Sequence, residues 1–340
     1  MRSQEESRGP ARATMVDVAR VAGVSLKTVS RAINGEPGVS QATLEKVRAA
    51  AAHLRYERND LAASLRHGDR SNTLGLVIED VANPFYAAIA KAVEDSVRGR
   101  QCLLITASAG EDPALEREIV TALLRRRVDA VLIVPAGTDH RYLEANGLAR
   151  RAVFLDRPPA RVDADAVLVA NAPGARLAVE HLLAAGHRRI AFIGDDRRLF
   201  TARERLGGYR AALQAAGVPA DPELVSMGNS TSRSAYEAIT RALALPRGRR
   251  PTAVLAGNNR CTIGVLEGLG ARRRRLALVG FDDFELAELL EVTVVRTDPY
   301  RIGTIAAELA LSRIDGDHAG PRRVVLDVEL VARGSGELPA

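Results

Sequence analysis

Between Gly23 and Gly35 runs Val24-Ser-Leu-Lys-Thr-Val-Ser-Arg-Ala-Ile-Asn34. At helical spacing this stretch sets Lys27, Thr28, Ser30 and Arg31 outward and Val29 and Ile33 inward. Cationic donors beside short hydroxyls suit binding rather than turnover: they can hydrogen-bond phosphates and the edges of bases, with arginine best matched to guanine. The same pattern could also be the solvated face of a small helical bundle, so the flanking elements have to decide.

Those elements are legible. Thr14 and Asp17 form a capping pair that opens a short helix with Val18, Ala19 and Ala22 on its inner face. Gly23 breaks it, since glycine tolerates the turn. Ser25 caps a second helix, Leu26–Ile33, which Asn34-Gly35 ends. Ser40 caps a third, whose Leu44, Val47, Ala51 and Leu54 share one stripe. This is a helix-turn-helix with a supporting helix, and the second helix would lie in the major groove.

After Asn72 the texture changes. Apolar runs recur at 73–78, 102–106, 130–134, 152–155, 167–170, 189–193, 252–256 and 276–281. Helical patterns separate them at 84–98, 113–126, 172–185, 202–216, 232–245 and 300–314. Continuous apolar strands alternating with helices indicate parallel sheets covered on both faces. About 270 residues exceed one ordinary open sheet, so two lobes are expected.

Composition narrows the class. With 340 residues, 46% hydrophobic and 26% charged, the chain can bury a sizeable core. Cys102 and Cys261 are too few for a disulfide framework or a four-cysteine zinc site. No apolar run reaches the ~18 residues of a membrane span, and the first ten residues hold no secretory signal. A cytoplasmic protein without cofactor or metal is the expectation. Residues 1–70 carry +4 of the net +6 charge, as a module meeting a polyanion would. Only three residues are lysine, however, so the arginine content is in part background.

The string Val16-Asp-Val-Ala-Arg-Val-Ala-Gly-Val-Ser25, followed by Thr28-Val-Ser-Arg31 and Asn34-Gly35, closely resembles the DNA-binding headpiece of the lactose-repressor and purine-repressor family of bacterial transcriptional regulators. Asn59-Asp-Leu-Ala-Ala-Ser-Leu-Arg66 resembles its hinge helix. The resemblance implies that Leu26, Lys27 and Arg31 read bases, while Thr14, Ser25, Thr28, Ser30 and Asn34 contact phosphates. It further implies that Asn59 caps a hinge helix whose Ala62, Ala63 and Leu65 form its narrow apolar face. Eight residues are too few for a stable isolated helix, so paired hinges would order in the minor groove with Leu65 as a wedge.

The likeness continues through Asn83-Pro-Phe-Tyr86, Gly186-His-Arg-Arg-Ile-Ala-Phe-Ile-Gly194, Arg203-x-Arg205-x-x-Gly208-Tyr209 and Val279-Gly-Phe-Asp-Asp283. It implies a two-lobed core like that of periplasmic sugar-binding proteins, with Rossmann-like parallel sheets and a ligand cleft beyond the carboxyl ends of the strands. The effector contacts implied are Phe85 and Tyr86 on one lobe, Asp156 near the crossover, and Thr201, Arg205, Asn258 and Asp282 on the other. Ser230 departs from the aromatic that many relatives place there.

The implied organisation is a tail over 1–13, a headpiece over 14–58, and a hinge with linker over 59–72. A core follows over 73–340, with one lobe at about 73–170 and 299–327 and the other at about 171–298 and 328–337. The function implied is a repressor that binds a pseudo-palindromic DNA operator as a homodimer under a small polar effector. A sugar is the first choice, a purine-type corepressor or no effector the alternative. The chain ends soon after its last strand with no leucine heptads, which favours a dimer over a tetramer. Two other classes fit the α/β texture less well. A dehydrogenase would need a Gly-x-Gly-x-x-Gly opening a helix, which the sequence lacks. A transported-sugar receptor would need an export signal and no DNA module.

Overall fold

The computed structural model describes residues 13–33, 35–56, 70–144, 147–271 and 275–340. The hinge positions Asn59, Ala62, Ala63 and Leu65, and the phosphate-contacting Asn34, lie outside the described residues. Internal contacts divide the chain into two units between Ser71 and Asn72.

In the first unit, α1 (Met15–Ala22), α2 (Leu26–Ile33) and α3 (Gln41–His53) close around Val18, Val29, Val47 and Ala50. Ala51 and Leu54 pack against this cluster, but Leu44 is not part of it and Ala50 takes the buried place. Side chains satisfy the free N–H groups that begin each helix. Thr14 Oγ1 accepts from Asp17 N at 3.3 Å while Asp17 accepts from Thr14 N at 3.0 Å. Ser25 Oγ accepts from Thr28 N at 3.1 Å, and Ser40 Oγ from Thr43 N at 3.3 Å. Gly23, at φ 66°, ends α1 in the left-handed region.

The second unit holds two six-stranded sheets. One contains β1 (Thr73–Ile78), β2 (Leu103–Ser108), β3 (Ala130–Ile133), β4 (Ala152–Asp156), β5 (Asp165–Val169) and β11 (Arg323–Leu326), in the order β11-β5-β4-β3-β1-β2. The other contains β6 (Ile190–Ile193), β7 (Val225–Ser226), β8 (Ala253–Ala256), β9 (Ala277–Phe281), β10 (Thr293–Arg296) and β12 (Glu329–Val331), in the order β12-β10-β9-β8-β6-β7. All pairings are parallel except β10 with β12. Both lobes thus repeat one strand order, with β1 matching β6 and β4 matching β9. The first lobe is covered by α4 (Pro84–Arg98), α5 (Pro113–Arg125) and α10 (Pro299–Ile314). The second is covered by α6 (Asn171–Ala184), α7 (Phe200–Ala215), α8 (Ser232–Ala244) and α9 (Asn259–Leu269). No described helix is long and apolar enough to cross a membrane.

Strands buried on both faces are the ones the apolar runs mark, such as β1, β4 and β9. The sequence reading passed over β7, β10, β11, β12 and α9. β7 has two residues, and β11 and β12 mix charged with apolar residues at the sheet edges. Gly264 and Gly268 punctuate α9, and a Cβ on Gly264 would stand 2.0 Å from Ser232 O of α8. Close packing, rather than intrinsic propensity, explains glycine in that helix.

Candidate functional site

On α2, Leu26 and Lys27 are exposed at the first turn, while Thr28, Ser30 and Arg31 are half-buried. Arg31 folds back on the chain that follows: its guanidinium donates to Pro37 O and stands 3.7 Å from Glu36. The Ser25 and Thr28 hydroxyls share a hydrogen bond of 2.8 Å, and Thr14 donates to Asp17 at 2.6 Å. These hydrogen bonds with Thr14, together with Arg20, hold the Asp17 carboxyl below its usual range. The exposed start of the helix and the small hydroxyls beside it form a surface able to meet a polyanion.

In the second unit the strand ends of both lobes converge on a polar cavity of about 40 Å³. Phe85, Tyr86, Asp156, Thr201, Arg205, Asn258 and Asp282 all line it. Asp156 ends β4 in the first lobe, beside Tyr86 and opposite Leu168 of β5, shortly before the chain crosses to the second lobe. Asp282 follows β9, its counterpart in the second lobe. Both aspartates adopt the left-handed conformation, at φ 63° and 67°, which turns the chain sharply off each strand. Aspartate is among the few types besides glycine that visit this region.

Helix starts supply the rest. Asn83 Oδ1 caps α4, accepting from Phe85 N at 3.2 Å, and Pro84 follows at the position where a missing N–H costs nothing. Asn258 Oδ1 caps α9 through Cys261 N at 2.7 Å. Arg205 of α7 is held through two of its three guanidinium nitrogens: Nε donates to Asn171 Oδ1 at 2.7 Å, and Nη1 to Gly257 O at 2.6 Å and Asp282 Oδ2 at 3.2 Å. Its guanidinium lies 3.7 Å from the Phe281 ring centroid, a cation–π contact. Burial raises the Asp156 carboxyl, against the opposing pull of Arg157 and Arg205. Tyr86 OH donates to Asp156 Oδ2 at 3.5 Å, and burial pushes this phenol well up.

Sequence reasoning missed Glu79, Arg157, Asp195 and Arg260 as lining residues, along with Asn83 and Asn259. A signal for several of them existed. Glu79 follows β1, Arg157 follows β4, and Asp195 lies two residues past β6, all at carboxyl ends where such sheets bind ligands. Arg157 donates to Glu111 and, at 2.9 Å, to Pro135 O. Ser230 is exposed and does not line the cavity. The arrangement offers acceptors and donors around a small enclosed volume, the chemistry of binding a hydroxyl-rich ligand.

Comparison with known proteins adds context. Residues 14–59 match the profile described as bacterial regulatory proteins, lacI family, and residues 179–336 match a periplasmic binding protein-like domain. The ribose operon repressor of Escherichia coli strain K12 is 32% identical over 332 residues, spanning 95% of this chain and 99% of that protein. The HTH-type transcriptional regulator GalR of Salmonella typhimurium strain LT2 is 33% identical over 312 residues, spanning 88% and 89%. Among solved structures, the transcriptional regulator CelR–cellobiose complex superposes with a TM-score of 0.71 at 33% identity, covering 96% of this chain and 100% of that one. The Lac repressor dimer bound to operator and the anti-inducer ONPF gives 0.81 at 27% identity, covering 95% and 99%.

Proposed function

The chain belongs to the lacI family of bacterial regulatory proteins, and on that premise we propose that it represses transcription as a homodimer on a pseudo-palindromic operator, under the control of a small sugar. DNA binding falls to the first unit. Leu26 offers apolar contact, for instance to a thymine methyl, and Lys27 and Arg31 donate to guanine. Thr14, Ser25, Thr28 and Ser30 hold phosphates and so fix the register. Arg31 leaves Pro37 O to reach its base, so base reading exchanges one hydrogen bond for a bidentate pair.

The observation that carries the effector reading is the enclosed polar cavity between the lobes, with Asp156 and Asp282 at matching strand ends. In its closed form about 40 Å³ is room for a few waters, not a sugar ring. Ligand entry therefore requires the lobes to part, and closure on the ligand couples the cavity to the DNA-binding state. Phe85 and Tyr86 form one wall, and Thr201, Arg205 and Asn258 the other. The relatives named for ribose and complexed with cellobiose make a sugar the ligand class to test first.

The test is binding of the full-length protein to two-fold-symmetric oligonucleotides against random competitor at moderate salt, with and without ribose, cellobiose and other sugars. A preference for one symmetric site, changed by a sugar, is the expected result. No preference for any symmetric site overturns the DNA reading, and a preference that no sugar changes overturns the effector reading.

A further inference from the structure

Charge in the cleft is unbalanced. Three guanidiniums face the cavity, and each already pairs with a carboxylate: Arg157 with Glu111, Arg205 with Asp282, and Arg260 with Glu79 and Asp80, although Arg157 Nε has no hydrogen-bond partner among the described residues. Two carboxylates are less fully answered among the described residues: Asp195 has no ion pair, and Asp156 has only a long one. Among the described residues Asp195 accepts only from neutral amides, Oδ1 from Asp196 N at 2.7 Å and Oδ2 from Asn258 Nδ2 at 2.9 Å. Asp156 Oδ2 lies 3.6 Å from Arg157 Nε, an ion pair beyond hydrogen-bond reach, while the Nη atoms of that guanidinium bond Glu111 and Pro135 O. Asp156 Oδ1 has no hydrogen-bond partner among the described residues, although Asp156 is only 3% exposed and lines the cavity.

We infer that the cleft ligand carries a protonated amine, read by Asp195 together with Asp156, so that the effector is an amino-bearing sugar rather than a neutral or phosphorylated one. This rests on the effector reading above and narrows it. Four carboxylates, Glu79, Asp156, Asp195 and Asp282, line the cavity against three guanidiniums, each already paired with a carboxylate, a balance that disfavours a phosphate. Neutral hydroxyls can satisfy the hydrogen bonds but bring no positive charge to Asp195 or to the open Oδ1 of Asp156. An ammonium group does both, with three donors and the opposite charge. Burial raises both the Asp156 and the Asp195 carboxyl. Asp195 is thereby a specificity residue: its carboxylate selects the amine, and its bond to Asn258 fixes the amide that faces the sugar hydroxyls.

The experiment measures thermal denaturation and calorimetric binding of the full-length protein with D-glucosamine and D-galactosamine. Their neutral parents, their N-acetyl forms and the corresponding sugar phosphates serve as comparisons. The expected result is that an amine binds about tenfold or more tightly than its neutral parent, while the N-acetyl form, which keeps the nitrogen but not the charge, loses the gain. Asp195→Asn removes the preference but still binds operator DNA, which reports that it is folded. Equal binding by a neutral parent, no binding by either amine, or an intact amine preference in Asp195→Asn overturns the inference. Binding by neutral sugars alone overturns the amine but leaves the effector reading standing; operator binding unmoved by any sugar counts against that reading itself.

Discussion

Arg260 of α9 reaches across the cleft to Glu79 of the other lobe, Nη1 donating to Oε1 at 2.5 Å. Its Nη2 donates to Asp80 at 2.6 Å, and the neighbouring Asn259 Nδ2 donates to Asn83 Oδ1 at 2.8 Å. Two adjacent residues of one helix thus tie the second lobe to the turn that opens α4 in the first. The ties are half-shielded from water, so they hold more than a surface ion pair does.

Arg260→Ala removes the charged part of this tie. The lobes should part more readily, with a larger radius of gyration in solution scattering and faster amide exchange near Asn83. Stability in urea should fall by about 1–2 kcal/mol. Arg260→Glu should do more harm, and the swap Glu79→Arg with Arg260→Glu should recover part of it. Unchanged scattering and exchange in Arg260→Ala would show that the tie does not govern closure.

Asp156→Asn trades function for stability. Burial raises the folded-state pKa of Asp156, so keeping the group ionised costs stability. That cost is not felt below the ordinary carboxyl value of 3.8 and grows as pH rises above it. The wild type should therefore gain stability from this group as pH falls from neutrality towards that value, and Asn, which tolerates the same φ, should be more stable at neutral pH with less pH dependence. The effector response should vanish. A lower melting temperature at neutral pH would contradict the account.

Arg205→Ala strips the guanidinium from Asn171, Gly257 and Asp282 at once. Operator binding without ligand should persist, while the response to the effector is lost. Because the Asp282 carboxylate then keeps, among the described residues, only the Thr297 hydroxyl at 3.3 Å as a partner, a stability loss of about 3 kcal/mol is expected. An unaltered response would remove Arg205 from the site.

Gly264→Ala reverses the usual helix rule. Replacing glycine by alanine inside a helix ordinarily stabilises by about 1 kcal/mol. Here the new Cβ would meet Ser232 O at 2.0 Å, a backbone atom that cannot swing away. A net loss of about 1–3 kcal/mol in denaturant unfolding is the expectation, and a gain would mean that α8 and α9 can separate freely.

Arg31→Ala tests base reading. Discrimination at one base pair of the operator should relax by about 1–3 kcal/mol. Binding that weakens equally across unrelated sequences would assign Arg31 to phosphates instead.

Much of this was local and therefore legible. Capping side chains, Gly23 and the inward Val18 and Val29 define the headpiece helices within a few residues of chain. Apolar runs mark the strands buried on both faces, because such strands need no partner residue to declare them. Where the signal depended on distant neighbours it failed. The edge strands β11 and β12 carry charged residues, and α9 carries glycines that make sense only against Ser232 and Ile239 of α8. The Asp156 and Asp282 carboxylates could be named from motifs, but Asp195, Arg157 and the Glu79–Arg260 bridge could not. Their meaning comes from two sheets laying matching strand ends together, which sets Glu79 beside a side chain 181 positions away. Which charges are cancelled and which are left facing the cavity is a property of that packing, since Coulomb energy depends on separation and burial rather than on order along the chain.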